Sequence, residues 1–284
     1  VRMWTNEATI NNYKTLISYG YHFVGPVKGD MACGEFGDGK MSEINEIFSS
    51  IKNYFKNKDL FKAKKIRALV TAGPTREYID PVRFISNESS GKQGYEIAKA
   101  LNKSGVDTTL ILGPSNLSPV PGLKIINVIT AKEMLDAVKI NLPVDIAICS
   151  AAVSDFKPSS YSKEKIKKNT KDFSTLRFDK NIDILEFLGK NNVHRPKFVV
   201  GFAAETNNLI KNSVTKLQEK RCDMIVANDI SKRDKGFNVD FNEVELVYSN
   251  GSIKKISKNK KNYIASVLAK EIVNQFLSNG KNLN

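Results

Sequence analysis

Histidine and cysteine are scarce: the chain carries two histidines, His22 and His194, and three cysteines, Cys33, Cys149 and Cys222. The cysteines lie far apart and include no C-x-x-C, so a Cys/His metal site and a Ser-His-Asp triad are both poorly supplied. This usage suits a reducing, cytoplasmic compartment. No stretch approaches the roughly 18 apolar residues of a membrane span. The start, VRMWTNEATI, is neither a signal nor a transit peptide. It lacks Met and reads as mid-domain sequence, as expected of a fragment or a split-gene product. RNA-binding aromatic motifs, zinc fingers and helix-turn-helix patterns are missing too, so neither a membrane nor a specific nucleic acid is expected as partner.

Positive charge is plentiful. The net charge is +14 over 284 residues, but the lysines are scattered along helices and tails among Asn and Ile. Such a surface is mostly solvated and attracts small polyanions such as nucleotides and phosphate esters. A hydrophobic share of 41% supports one large domain and a smaller appendage.

The appendage is residues 1–55. TNEATINNYKTLISYGY reads as a helix with Ala8, Asn12, Leu16 and Tyr19 near one face and Gly20 ending it. A glycine-dense stretch around Cys33 follows, then a second helix, EINEIFSSIKNYF. Residues 52–67 hold seven Lys or Arg and one acid, which suits a linker (placed at 56–65) or an exposed helix end.

The main domain spans 66–280. Its organising stretch is 66–94, IRALVTAGPTREYIDPVRFISNESSGKQG. Ile66 to Thr71 is a branched, apolar run that suits a buried parallel strand. Gly73 breaks it. After a polar loop carrying Arg76, Asp80, Arg83 and Asn87, the segment Ser89-Ser90-Gly91-Lys92-Gln93-Gly94 leads into an amphipathic helix. Strand, glycine-bearing loop and helix form the phosphate site of doubly wound α/β domains, where unpaired helix N–H groups meet an anion. The G-x-G-x-x-G fingerprint is absent, because Gly73 and Gly91 are widely separated. The plainer alternative is a helix N-capped by Ser89 or Ser90 behind a surface loop.

Further strands are expected at 106–113, 123–130, 144–156, 197–206 and 223–229, with helices between them. KPSSYSKEKIKKNTKDFS reads as a mobile loop or lid, FSTLRF as a short strand, and NIDILEFLGK as a helix. EVELVYSNGSIKKI alternates around Asn250-Gly251 and predicts a hairpin. A final helix closes the core. The fold class is α/β: a Rossmann-like, doubly wound, mostly parallel sheet with a small antiparallel hairpin extension. That hairpin can add strands across a two-fold axis, so a homodimer is expected.

TAGPTREYIDPVRFISNESSGKQG, ICSAAVSDF, EKIKKN, VVGFAAETNN and IVANDIS resemble, in order, the motifs of phosphopantothenoylcysteine synthetase (phosphopantothenate–cysteine ligase). That enzyme is the second half of a bacterial bifunctional flavoprotein of coenzyme A synthesis. MWTNEAT and ACGEFGDGKM resemble the end of the partner half, phosphopantothenoylcysteine decarboxylase. The resemblance implies a two-step ligation. The carboxylate of 4′-phosphopantothenate attacks the α-phosphate of CTP, releasing pyrophosphate, and the amine of cysteine then displaces CMP from the acyl cytidylate. CTP is thus implied as co-substrate, with Mg²⁺ held mainly by its phosphates and no protein metal site.

Residue by residue, the resemblance implies that Lys165 contacts the triphosphate and that Asn87 turns over the acyl cytidylate, its amide donating to the oxyanion. Cys149, Ser150, Ala151 and Asp155 match the strand end along the cytosine nucleotide. Phe202, Lys216 and Lys220 match further nucleotide contacts. Ile182, Asp183, Ile184 and Leu185 match a contact segment that usually reads Asn-Pro-Asp-Ile, here without its proline. Gly73, Ser90, Gly91 and Gly94 form the phosphate loop. Cys149 sits in an apolar context that raises a thiol's pKa, so it is no nucleophile. In the appendage, Cys33 matches the decarboxylase's proton-donating cysteine, but the family's catalytic histidine and flavin-binding region lie upstream. FMN binding and decarboxylation are therefore not expected of this chain alone; a separate chain carrying the missing half is the conceivable partner.

Two other function classes compete on the same features. One is an NAD(P)-dependent oxidoreductase, weakened by the split glycines and the missing Tyr-x-x-x-Lys pair. The other is a non-catalytic nucleotide-binding module.

Overall fold

The computed structural model describes residues 2–19, 21–31, 34–63, 65–167, 176–190, 193–231 and 241–279. The chain divides into two compact units, Val1–Lys65 and Ile66–Asn284.

The first unit opens with helices α1 (Arg2–Thr5) and α2 (Glu7–Ser18). They are separate because Asn6 takes an extended conformation and its Oδ1 accepts the Ala8 N–H at 2.9 Å, an N-cap inside the segment that reads as one helix. The glycine-dense stretch forms an antiparallel hairpin of β1 (Val27–Asp30) and β2 (Phe36–Lys40), with Gly29 opposite Gly37. Helix α3 (Ile44–Ala63) continues through most of the stretch placed as a linker at 56–65. Gly20 and Cys33 lie outside the described residues.

In the second unit, β3 (Arg67–Ala72) leads to a ribbon of β4 (Arg76–Tyr78) and β5 (Phe84–Ser86), and then to α4 (Lys92–Lys103). Next come β6 (Asp107–Leu112), β7 (Lys124–Asn127), α5 (Ala131–Asn141) and β8 (Ile146–Cys149). A second ribbon, β9 (Phe156–Pro158) with β10 (Phe178–Lys180), precedes α6 (Ile184–Lys190), β11 (Phe198–Glu205), α7 (Leu209–Glu219) and β12 (Met224–Asp229). The hairpin β13 (Phe241–Tyr248) and β14 (Ile253–Lys260) and helix α8 (Lys261–Asn279) complete the described chain. The strand expected over 144–156 stops at Cys149. The strand expected in FSTLRF begins only at its last residue, Phe178; 173–175 lie outside the described residues.

Eight strands form one sheet in the order β14-β13-β12-β11-β8-β3-β6-β7. All pairs from β12 to β7 are parallel, and β13 and β14 are antiparallel. This is the doubly wound α/β architecture with a hairpin extension that the sequence pattern predicts. Side chains alternate across each strand. Leu69, Ala147, Val199 and Ile225 face the layer of α5, α6 and α7, packing with Met134, Leu135, Leu188 and Leu217. Helix α4 lies against β3 and β6 and against α8. The central strands are covered on both faces, which is why they read as unbroken apolar runs.

The chain order reverses between β3 and β8: the path goes from β3 out to β7, then returns to β8 on the other side. Such a switch point opens a crevice at the carboxyl ends of the strands. Leu69 is fully buried at this centre, so Leu69→Ala is expected to lower unfolding free energy by about 2–5 kcal/mol in urea denaturation.

Candidate active site

The switch point is built from backbone packed on backbone. Gly73 leaves β3 with φ +81° and Gly91 caps α4 with φ +72°. A Cβ on Gly91 would sit 3.0 Å from both Cα and N of Gly73. Glycines that are far apart in sequence are therefore neighbours in space. Gly94, in the first turn of α4, lies so close to the strands that its Cβ would come within 2.7 Å of Ala72 Cβ and closer still to Ser150 Oγ. The three glycines do what the contiguous dinucleotide fingerprint does: turn, close approach, and tight helix–strand packing.

The cap itself differs from the serine cap considered above. Gly91 is the N-cap of α4 and, having no side chain, makes no side-chain cap hydrogen bond. Ser89 Oγ accepts only the N–H of Gly91, at 3.3 Å. A glycine-capped helix start at the carboxyl edge of a parallel sheet has a geometry and a dipole that favour an anion.

Opposite it, the chain beyond β8 runs along Gly73 and Pro74. Ser150 N–H donates to Thr71 O at 3.1 Å, Ala152 N–H to Gly73 O at 2.9 Å, and Thr75 N–H to Ala152 O at 3.3 Å. Buried Thr75 ties the site together, since its Oγ1 accepts the Ser154 N–H at 3.0 Å and its carbonyl accepts Ser86 Oγ at 2.8 Å. Sequence reasoning passed over Thr75, although a hydroxyl between a strand end and a proline-started turn was the available signal. Asn87 is exposed and sits over this junction, its Nδ2 donating to the carbonyls of Ala152 at 3.3 Å and Val153 at 3.0 Å. The amide nitrogen expected to meet an oxyanion is thus already bound to protein carbonyls, which leaves Asn87 Oδ1, an acceptor, as the atom for a substrate.

The neighbouring wall comes from β11 and the segment before α6. Asn181 N–H donates to the carbonyl of exposed Asp155 at 2.8 Å. Ile182 is 44% exposed, whereas Ile184 and Leu185 are buried core residues at 3% and 7%. Leu185 packs on Gly201, the register neighbour of Cys149. The side chains of Ile184 and Leu185 belong to the hydrophobic core. Phe202 is half-buried, next along β11.

Both matched helix lysines are engaged within the protein. Lys216 Nζ donates to Phe202 O at 2.8 Å. Lys220 Nζ lies 3.1 Å from Asp183 Oδ2 and 2.7 Å from Glu186 Oε2. Hydrogen bonds from Lys190 and Lys220 hold the Glu186 carboxyl down to about 2, and Glu186 in turn raises the Lys220 ammonium above its ordinary value. Burial, with minor help from Cys222 and Asp183, pushes the Cys149 thiol far above its ordinary range, and burial carries Cys222 up to about 12. Both are inert thiols. Lys165 is exposed on the loop after β9. A separate groove of about 690 Å³ at the ends of β6 and β7, lined by Arg76, Pro114, Asn127 and Ile129 among others, contains none of these residues.

Fold and site together define a doubly wound α/β domain with a glycine-lined helix start at its switch point. Residues 63–276 match the family model of the DNA/pantothenate metabolism flavoprotein C-terminal domain, and residues 1–56 match the flavoprotein model. The chain belongs to the DNA/pantothenate metabolism flavoprotein family. It is 42% identical over 276 residues to the coenzyme A biosynthesis bifunctional protein CoaBC of Haemophilus influenzae, covering 97% of this chain and 68% of that protein. The protein of the same name from Escherichia coli is 38% identical over 279 residues, with 97% and 68% covered. Among solved structures, the C-terminal domain of a CoaBC protein superposes with a TM-score of 0.61 at 34% identity, covering 76% of this chain and 96% of that one. A DNA/pantothenate metabolism flavoprotein from Streptococcus pneumoniae, 24% identical with a TM-score of 0.61 over 74% of this chain and 99% of that one, shares the fold.

Two outcomes are expected. Gly91→Ala forces a side chain into a left-handed conformation against immovable backbone and should destabilise the chain by about 1–3 kcal/mol in urea unfolding. The depressed Glu186 carboxyl contributes stability that is complete above its ordinary value of 4.5 and is lost as pH falls toward about 2. In Lys220→Met, carbon-13 NMR should show its titration midpoint moving up toward 4.5.

Proposed function

We propose that the second unit is a phosphopantothenate–cysteine ligase acting on CTP through an acyl cytidylate. The observation that carries the reading is the convergence of Asn87 and the glycine-lined start of α4 on the exit of β8. Family membership supports it, as do relatives named for coenzyme A biosynthesis.

Both chemical steps build negative charge on phosphoryl or carbonyl oxygens, so positioning and cations matter more than a strong base. In the first step the phosphopantothenate carboxylate attacks the α-phosphorus and pyrophosphate leaves. The start of α4 receives a phosphate group on its N–H groups, Lys165 neutralises the triphosphate, and the narrow path beside Ser150 and Ala151 admits a flat base. Phe202 lines the same wall. In the second step cysteine's amine attacks the acyl carbonyl and CMP leaves. Asn87 Oδ1 accepts an N–H of that amine, orienting its lone pair on the carbonyl carbon while Ala152 and Val153 fix the side chain.

Among the described residues no three His, Cys, Asp or Glu side chains gather as metal ligands. Mg²⁺ in this reading enters as the magnesium complex of CTP, held by phosphate oxygens. Lys216 and Lys220 act through their protein partners: Lys216 holds the Phe202 carbonyl and Lys220 holds the segment at Asp183. We place the first unit as the end of a phosphopantothenoylcysteine decarboxylase half, with Cys33 its proton donor once the remainder and FMN are supplied, on a separate chain or upstream. A homodimer in the cytoplasm completes the proposal. No described helix is long and apolar enough to cross a membrane.

Pyrophosphate release tests the reading. Release from CTP should require phosphopantothenate, and adding cysteine should yield CMP and the amide. Asn87→Asp sets a carboxylate against the two carbonyls and should slow cysteine-dependent CMP release by roughly a hundredfold while pyrophosphate release persists. The glycine geometry would equally seat a dinucleotide pyrophosphate, so NADH is the control ligand. Thermal stabilisation by NADH and not by CTP, with no pyrophosphate released, would overturn the assignment.

A further inference from the structure

A long lysine side chain on an exposed loop binds an anion weakly by itself, because fixing its rotamers opposes binding. The loop that carries Lys165 is not left to itself. Ser162 N–H donates to Ile79 O at 3.0 Å. The peptide groups of Ile166, next to Lys165, are held on both sides: its N–H donates to Asp80 Oδ2 at 3.2 Å, and its carbonyl accepts Arg83 Nη2 at 3.1 Å. Through Lys167, then, the segment that reads as a mobile lid is anchored on the 79–83 turn.

Asp80 has no solvent exposure. Its Oδ1 accepts the N–H groups of Val82 and Arg83, both at 2.8 Å, and Oδ2 lies 3.6 Å from Arg83 Nη1. Burial on its own raises this carboxyl, but the backbone bonds from Val82, Arg83 and Ile166 and the Arg83 charge outweigh it, leaving the pKa below the ordinary aspartate value. The plain role for such a residue is to shape its own turn, as aspartates commonly do. Oδ1 alone accomplishes that. The second oxygen reaches a residue 86 positions away, which no turn requires.

We propose that Asp80 is a positioning residue for Lys165: by fixing the Ile166 N–H it sets the backbone from which the lysine reaches the anionic nucleotide. This rests on the ligase reading, and the assignment of Lys165 within it. Asp80 touches no substrate; it acts through the adjoining peptide, with Arg83 closing the other side.

Asp80→Asn tests it, because the amide oxygen can keep the turn bonds while the amide N–H₂ faces the Ile166 N–H and loses that bond. The KM for CTP in phosphopantothenate-dependent pyrophosphate release should rise roughly ten- to a hundredfold, the effect of one charge-assisted hydrogen bond, with kcat changed far less. In a Lys165→Gln background the same substitution should add nothing. An equal further loss there would mean a merely structural aspartate and would overturn the proposal. Amide hydrogen exchange on the unmodified chain gives an answer that depends on no variant folding: Ile166 should be protected relative to the exposed amides of Lys163 and Glu164, and equal exchange sinks the clamp. Failure of the unmodified chain to release pyrophosphate with Ile166 protected would instead sink the ligase reading.

Discussion

The close approach of Gly91 to Gly73 governs the whole carboxyl edge of the sheet. With backbone against backbone at the strand end, α4 starts close over β3. A side chain on Gly91 would press on Gly73 and displace the helix start, while one on Gly73 would press on the Gly113 backbone beyond β6. The exit of β8 then has no room except along Gly73 and Pro74, where it meets Thr75 and Asn87. Loop, helix cap and strand exit are therefore one rigid assembly, organised by the absence of two Cβ atoms.

That assembly explains what could be read in the sequence and what could not. The strands and helices of the main domain follow from apolar runs and their spacing, because a sheet covered on both faces leaves little ambiguity at its centre. The proximity of Gly73 and Gly91 was hidden, since residues 74–90 must first fold back through the β4–β5 ribbon before the two meet. Local pattern carries no information about such a return. The hairpin in the first unit was hidden for another reason: β1 and β2 are rich in glycine, which disfavours strands by intrinsic preference.

The site residues divide in a similar way. Asn87 and the chain beyond Cys149 meet at the switch point, where Asn87 donates to the carbonyls of Ala152 and Val153. Ile184 and Leu185 are core residues, which the helical spacing of NIDILEFLGK itself indicates once Asp183 is seen to accept the Glu186 N–H at 2.9 Å. Lys216 and Lys220 looked like free cations because sequence cannot reveal a carbonyl or carboxylate contributed by a distant strand or helix. Asp80 is legible only in three dimensions, since its second oxygen serves a residue far along the chain.

The outer strands of the large sheet deal with a different hazard. At one border β7 is only four residues long, and at the other β14 reads IKKISKNK. Unpaired strand borders invite another chain to pair with them and grow into fibrils. Two of the β14 lysines are held in ion pairs, Lys254 with Glu271 and Lys255 with Glu243, and β7 offers too few residues to template a lasting ladder. The lysines that look like mere surface ornament there keep charge along the border of the sheet, which works against open-ended stacking and leaves the two-fold association proposed above as the one that closes.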